Sequence, residues 1–511
     1  MMIPDRSCLP LLVVSLAALW VGCRPTVAPS VAAADANDGT LPASESAGVS
    51  SSAQVYDDPR PNRDERAAAN AQGPPENIVV PDLRTRKNGT DWPGFLGPTG
   101  DSTSSEREII TRWPAEGLPI VWHKPIAEGY CAASISMGRL FLFDRLGDRA
   151  RLRCMKSATG EDLWEFTYPT DYIDMYGFDG GPRCCPVIDG GRVYLFGPEG
   201  MLHCVRATDG HLLWKMDTTE RFHVVQNFFG VGSTPVIDGD LLIAQVGGSP
   251  AGSPGVRSGR TESAGSAVVA FDKYTGEVKY AVGDELASYA SPVLATIDGR
   301  RWCFVFARGG LLALEPQSGK IDLHYPWRAS IIESVNASNP VVVGDTVFIS
   351  ESYSLRHGSS LLRVAPGRHA VVWRDDPARR EKSMQAHFVT PVHVDGYLYG
   401  SSGRHSPNAE LRCIELATGE VQWSEPGLGW TSLLYVDGHF VCLSEDGTLR
   451  LVRANPKKYE PVATAMLSET DENGRNTRML KPPAWAAPVL AQGLLYVRGA
   501  DRLVCLELIP R

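Results

Sequence analysis

Apolar and polar positions alternate in short bursts along most of this chain, and turn residues cut the bursts at regular intervals. In Pro186-Val187-Ile188-Asp189-Gly190-Gly191-Arg192-Val193-Tyr194-Leu195-Phe196-Gly197 an apolar run meets an Asp-Gly turn and a second apolar run follows. The pattern continues through Leu202-His203-Cys204 to a further turn at Asp209-Gly210 and an aromatic at Trp214. Short runs rich in Val, Leu and Tyr read as strands, and Asp-Gly between two of them reads as a hairpin. Residues 186–214 therefore predict three short antiparallel strands and the start of a fourth.

The same unit recurs with cores starting near Ser134, Pro186, Pro235, Pro292, Pro340, Pro391, Leu433 and Pro488, a period of about 50 residues. Four short strands and no helix per unit suit a propeller rather than a solenoid. The first strand of each blade then lines a central channel, and Pro is tolerated there because a strand's first residue need not donate to the ladder. A second recurring element pairs a tight turn with an aromatic: Ala158-Thr159-Gly160 before Trp164, Ala207-Thr208-Asp209-Gly210 before Trp214, Tyr274-Thr275-Gly276 before Tyr280, Gln317-Ser318-Gly319 before Tyr325, and Ala417-Thr418-Gly419 before Trp423. The glycine supplies a positive φ, and the aromatic on the outer strand is placed to pack on the neighbouring blade. The last unit, residues 488–508, stops after three strands, while Ile120-Val121-Trp122-His123 is a strand without a hairpin. The predicted fold is all-β: an eight-bladed β-propeller of four-stranded antiparallel blades, its ring closed by the strand around Trp122, with no long open edge.

The first 90 residues are different. Leu9 to Trp20 is almost unbroken apolar sequence after Arg6, and Val21-Gly22-Cys23 follows. This is the layout of a lipoprotein signal over residues 1–22, with Cys23 as the lipidated first residue of the mature chain. Trp20 departs from the usual pattern, so ordinary secretory cleavage and a retained anchor helix stand as alternatives. Residues 23–90 are rich in Ala, Ser, Pro, Asp and Asn and carry too little apolar sequence to offset the entropy of ordering, which predicts a disordered tether with a reach on the order of 45 Å. Trp92-Pro93-Gly94-Phe95-Leu96-Gly97-Pro98 opens the ordered body, assigned to residues 91–511.

Charge and cysteines narrow the partners. A net charge of -9 with no dense basic run argues against a nucleic-acid groove. No second apolar run is long enough to span a bilayer, and a monomer is expected. Of the 11 cysteines, Cys154, Cys204, Cys413 and Cys505 close a Leu-x-Cys step at one equivalent place in four repeats, which reads as a small buried filler and a free thiol rather than a cross-link.

The Ala-x-x-Thr-Gly-x-x-x-Trp turns and Pro-Val-x-x-Asp-Gly starts resemble the pyrroloquinoline-quinone-like β-propeller repeat family. That family includes quinoprotein alcohol dehydrogenases and the non-enzymatic lipoprotein of the outer-membrane β-barrel assembly machinery. The resemblance covers about residues 92–511, and it specifies the fold while leaving the function open.

Loops leading into the first strands surround one mouth of the channel. They supply the candidate ligand-binding residues Tyr130, Tyr176, Asp179, Arg183, His223, Gln226, Asn227, Tyr289, Glu333, Asn336, His387, Trp430 and Trp485. Any of the polar ones could instead only satisfy backbone groups in crowded turns. Cys184-Cys185 is the redox candidate by resemblance, because quinoprotein alcohol dehydrogenases carry an adjacent Cys pair as a strained disulfide beside the quinone. Two neighbouring core or turn thiols is the preferred reading. Asp179, Glu333 and Asn336 have the residue types for a calcium ion and a catalytic base, but no motif places them together, and no catalytic residue or metal ligand is assigned. The Gly- and Ser-rich run 247–266, inserted in the third blade, should lie on the face of the mouth.

The leading expectation is an exported, lipid-anchored, non-catalytic scaffold of the cell envelope that binds proteins or extended peptides and needs no cofactor, with outer-membrane protein assembly as the role that the resemblance implies. A dehydrogenase using pyrroloquinoline quinone (PQQ) and Ca2+ on alcohols or sugars is the second. A carbohydrate-binding propeller, resting on Tyr130, Tyr289, Trp430 and Trp485 at the rim, is the third.

Overall fold

Residues 54–57 and 77–511, apart from Lys87, Ala115, Leu355 and residues 471–473, are described by the computed structural model. The signal segment, Cys23 and most of the tether lie outside the described residues. The described strands form eight blades of four antiparallel strands in up-and-down order, the blades of the predicted propeller; two blades take on a fifth, parallel strand, and Ser468–Thr470 and Asn476–Arg478 form a separate two-stranded ribbon. The second blade is typical, with strands Val187–Asp189, Arg192–Phe196, Met201–Arg206 and Leu212–Asp217. Every residue of its second strand is buried, because both faces of an inner strand meet neighbouring blades. Its outer strand is half-buried. The cores accordingly lie between blades: Tyr194, Phe196 and Trp214 of the second pack with Leu242, Ala244 and Phe271 of the third.

The recurring cysteines and aromatics turn out to be one device. Cys154, Cys204, Cys413 and Cys505 stand directly across the ladder from Trp164, Trp214, Trp423 and Trp122. In each case the register shifts next to the pair, a bulge that increases local twist. A side chain as small as Cys leaves room for the indole to turn toward the next blade. There Trp214 Nε1 donates to Lys273 O at 3.0 Å and Trp423 Nε1 to Asn455 O at 2.9 Å; Trp373, which faces Leu361 and not a Cys, makes the same kind of bond to Leu416 O at 2.8 Å. The ring faces lie on the turn glycines: a Cβ on Gly210 would come within 2.5 Å of Trp164, and one on Gly276 within 2.6 Å of Trp214. The nine described cysteines are free and buried. Burial pushes the Cys442 thiol up to about 12.

The ring closes as the sequence predicts. Ile120–Pro125 pairs antiparallel with Arg502–Glu507, completing the blade of Val489–Ala491 and Leu494–Arg498. Trp122 repeats the inter-blade contact across the seam, with Nε1 donating to Ser157 O at 2.9 Å.

Residues 77–104 lie against the propeller. Leu83 N donates to Met137 O at 3.0 Å, and Arg139 Nη1 donates to Pro81 O at 2.6 Å. This segment runs along the first hairpin turns, on the face opposite the mouth. It then enters the channel, where Trp92 exchanges backbone bonds with Ile135, Ile188 N donates to Pro93 O, and Thr103–Ser104 pairs parallel with the innermost strand Thr431–Val436. Gln54–Asp57 likewise pairs parallel with the outer strand Asp162–Pro169. Low apolar content hid these contacts, since they are made largely by backbone groups.

Candidate functional site

Each first strand is entered by a loop on the same face, and these loops enclose a cavity of about 360 Å³ at the channel mouth. Its wall is a connected set of aromatic rings. Tyr130 lies on Trp485 at 5.0 Å between centroids, and Phe178 meets Trp485 at 5.7 Å and Phe229 at 5.8 Å. Phe229 meets Tyr289 at 5.5 Å, Phe388 meets Trp430 at 5.3 Å, and His387 is stacked on Trp430 at 5.1 Å. From the opposite side, Phe95 and Leu96 of the channel segment form the floor.

Polar groups of the wall hold the rings in place. Trp430 Nε1 donates to Gly403 O at 2.9 Å, Trp485 Nε1 to Glu445 Oε2 at 3.1 Å, and Phe229 N to the Tyr289 hydroxyl at 2.7 Å. Burial, with Arg404 and His405 nearby, holds His387 down at about 4, so its imidazole is neutral near pH 7, and Nδ1 is 2.7 Å from Ser352 Oγ. Arg183 is the one cation on the wall among the described residues, and Nη2 donates to Asp174 Oδ2 at 2.7 Å. Asp174 also accepts from the amides of Tyr176 and Phe178 at 2.9 and 3.2 Å, so a single buried carboxylate shapes the loop that presents both aromatics.

Of the residues proposed from sequence, Tyr130, Arg183, Tyr289, His387, Trp430 and Trp485 meet in the cavity wall, and Tyr176 stands on its rim against Phe228 and Phe229. The others lie elsewhere. Asp179 takes the amides of Gly129 and Gly181 at 3.3 and 3.1 Å. His223 ends the short helix Thr218–Phe222 in a left-handed conformation, exposed. Gln226 and Asn227 line a second, smaller cavity, and Glu333 is exposed. Asn336 is fully buried, donating to Ala307 O at 2.8 Å and Trp327 O at 3.1 Å. Cys185 reaches the cavity, whereas Cys184 packs into the core between the second and third blades.

Asp179, Glu333 and Asn336 thus have separate surroundings, and among the described residues no carboxylate lines the cavity. The residues present do not fit a calcium-held quinone. Phe178, Phe229, Tyr353 and Phe388 were missed by the sequence reading, although Phe388 follows His387 directly. Asp174 was missed too, since its signal is only its place in the loop of Arg183.

A family model for the outer membrane protein assembly factor BamB matches residues 148–425, more than half of the chain. The chain belongs to that family. Among solved structures, BamB from Moraxella catarrhalis is similar at 14% identity and a TM-score of 0.50, covering 76% of this chain and 99% of that one. A europium-containing methanol dehydrogenase is matched at 10% identity and a TM-score of 0.43, covering 81% and 91%. At these identities the likeness to BamB speaks for the fold. Comparison with curated protein sequences gives no match.

Proposed function

We propose that this propeller is a non-catalytic binding scaffold of the cell envelope, exported and tethered through Cys23, whose mouth takes aromatic or aliphatic side chains of protein segments during outer-membrane protein assembly. One observation carries the reading: the loop beside the aromatic cup leaves Ile173, Met175, Tyr176 and Phe178 between 37% and 84% exposed. Apolar side chains grouped at a concave mouth favour association with a partner. Sugar recognition is less well served, because the cup's hydrogen-bonding side chains, among them Arg183, His387, three tyrosines and the hydroxyls of Thr234, Thr390 and Ser432, include no carboxylate or amide among the described residues. The family membership and the absence of a convergent acid, base or ion set among the described residues of the cup support a scaffold.

A photo-crosslinking amino acid at Phe178 in cells tests the reading, with one at Asp189 on the opposite face as the control. Reproducible adducts with envelope proteins from position 178 alone are expected. Adducts with none, or the same proteins from both positions, would overturn it.

A further inference from the structure

The second cavity, about 60 Å³, lies beside the cup under the third-blade insertion, which supplies Val256 and Thr261 to its lining. One water occupies about 10–15 Å³ measured in this way, so the space admits several waters or one compact polyatomic group. Arg308, 4% exposed, lines it. Its Nη2 donates to Ile332 O at 2.8 Å, and Arg328 Nη2 reaches the same oxygen at 3.3 Å. Two guanidinium groups therefore meet at one carbonyl. Among the described residues neither has a carboxylate partner, and the Nε atoms of both are buried without a hydrogen-bond acceptor.

Like charges at this separation repel, and a buried cation without a counter-charge is costly. Burial and Arg328 push Arg308 down to about 10, in keeping with that geometry. The ring of Phe228, 5.3 Å from Arg308 Cζ, offsets the charge only in part. Glu285 acts on Arg328 through its charge without an ion-pair contact, while it accepts from Gly309 N at 2.7 Å and faces His324 Nε2 at 2.9 Å. Glu199, on the wall of the same cavity, accepts from Tyr168 and Thr170 at 2.8 and 3.0 Å, and its burial raises its pKa. Gln226 and Ser288 add polar groups to the lining.

We infer that this cavity is a binding site for a small oxyanion, a carboxylate, sulfate or phosphate group, held by Arg308 with Arg328 behind it. The planar guanidinium fork matches such groups with two parallel hydrogen bonds, and the anion supplies the counter-charge that the protein lacks there. The inference is independent of the aromatic cup.

The test titrates the full chain with acetate, sulfate and phosphate at constant ionic strength in chloride, reading heat of binding and the thermal midpoint. Saturable binding of at least one anion, with a rise in midpoint, is expected. Acetate alone binding would identify a peptide or acidic side chain as the source, whereas sulfate and phosphate binding would identify a free or esterified tetrahedral anion. Arg308→Lys and Arg328→Lys, each with an unchanged circular dichroism spectrum, should weaken binding about tenfold or more, because Lys cannot present the fork. No saturable binding of any of the three below about 10 mM, or equal affinity in both variants, would overturn the site. Should the variants fail to fold, selenate soaked into wild-type crystals decides: an anomalous peak beside Arg308 supports the site, and its absence there refutes it.

Discussion

Gly210→Ala and Gly190→Ala separate two costs that the propeller repeat normally combines. Both glycines lie in turns of the second blade with positive φ, +80° at Gly210 and +55° at Gly190. An alanine at Gly190 meets nothing within 4 Å, so its cost is that of the left-handed backbone, about 1–2 kcal/mol, partly offset by a less flexible unfolded chain. At Gly210 the new methyl would come within 2.5 Å of Trp164, which is 2% exposed and cannot move without opening the seam between blades. Overpacking of this kind adds about 1–3 kcal/mol, which places Gly210→Ala at about 2–5 kcal/mol. Urea unfolding followed by tryptophan fluorescence measures both, with the slope of the transition checked for a change in cooperativity. Equal destabilisation by the two substitutions would refute the claim that the turn glycines are fixed by the indoles lying on them.

Further outcomes follow from the same geometry. Trp122→Ala removes the bond to Ser157 O and the contact with Gly160 at the ring's closing seam, and should cost about 2–4 kcal/mol by thermal or chemical unfolding. Asp174→Ala takes the partner from the half-buried Arg183, at a cost of about 1.5–3 kcal/mol, and frees the loop of Tyr176 and Phe178, which limited proteolysis would detect as new cleavage within 171–183. Burial raises Glu351 from 4.5 to about 7, so its unfolded carboxyl ionises first: the penalty is absent below about pH 4.5, grows with rising pH and is complete above about 7. Glu351→Gln should abolish this loss of about 3 kcal/mol, seen as a flatter stability profile between pH 5 and 8. His387 acts in the other direction. With a folded value of about 4 against 6.5 unfolded, its contribution is complete above about pH 6.5 and is lost as pH falls toward 4, so His387→Gln should flatten the acid limb of the same profile.

The fold was legible because each blade repeats the same local grammar, and because the unpaired strand at Trp122 had one place to go. The inter-blade role of the aromatics followed from that repeat as well. The residues facing them did not: Cys204 and Cys413 read as small fillers, but only the ladder shows that each faces the indole it makes room for. Trp430 was legible because the loop before its first strand, residues 427–430, is short. The loops 170–186 and 375–391 are equally long, and they put Arg183 and His387 in the cavity wall but turn Asp179 away from it. Whether Asp179 looks into the channel or back at Gly129 depends on the fold of the loop, and nothing in residue order fixes it. The course of residues 77–90 was missed because a segment held by backbone hydrogen bonds shows no hydrophobic period.

The floor made by Phe95 and Leu96 alters what a ring of blades can do. An open ring lets a chain be threaded from one side to the other, and length then sets no limit on what passes. A stoppered ring accepts only what can be inserted and withdrawn by the same opening: a chain end, a hairpin tip or a single bulky side chain. Occupancy is then one guest per ring, and release can be driven by competition at the rim. The short channel segment that carries Phe95 and Leu96 thus makes the propeller a socket rather than a conduit.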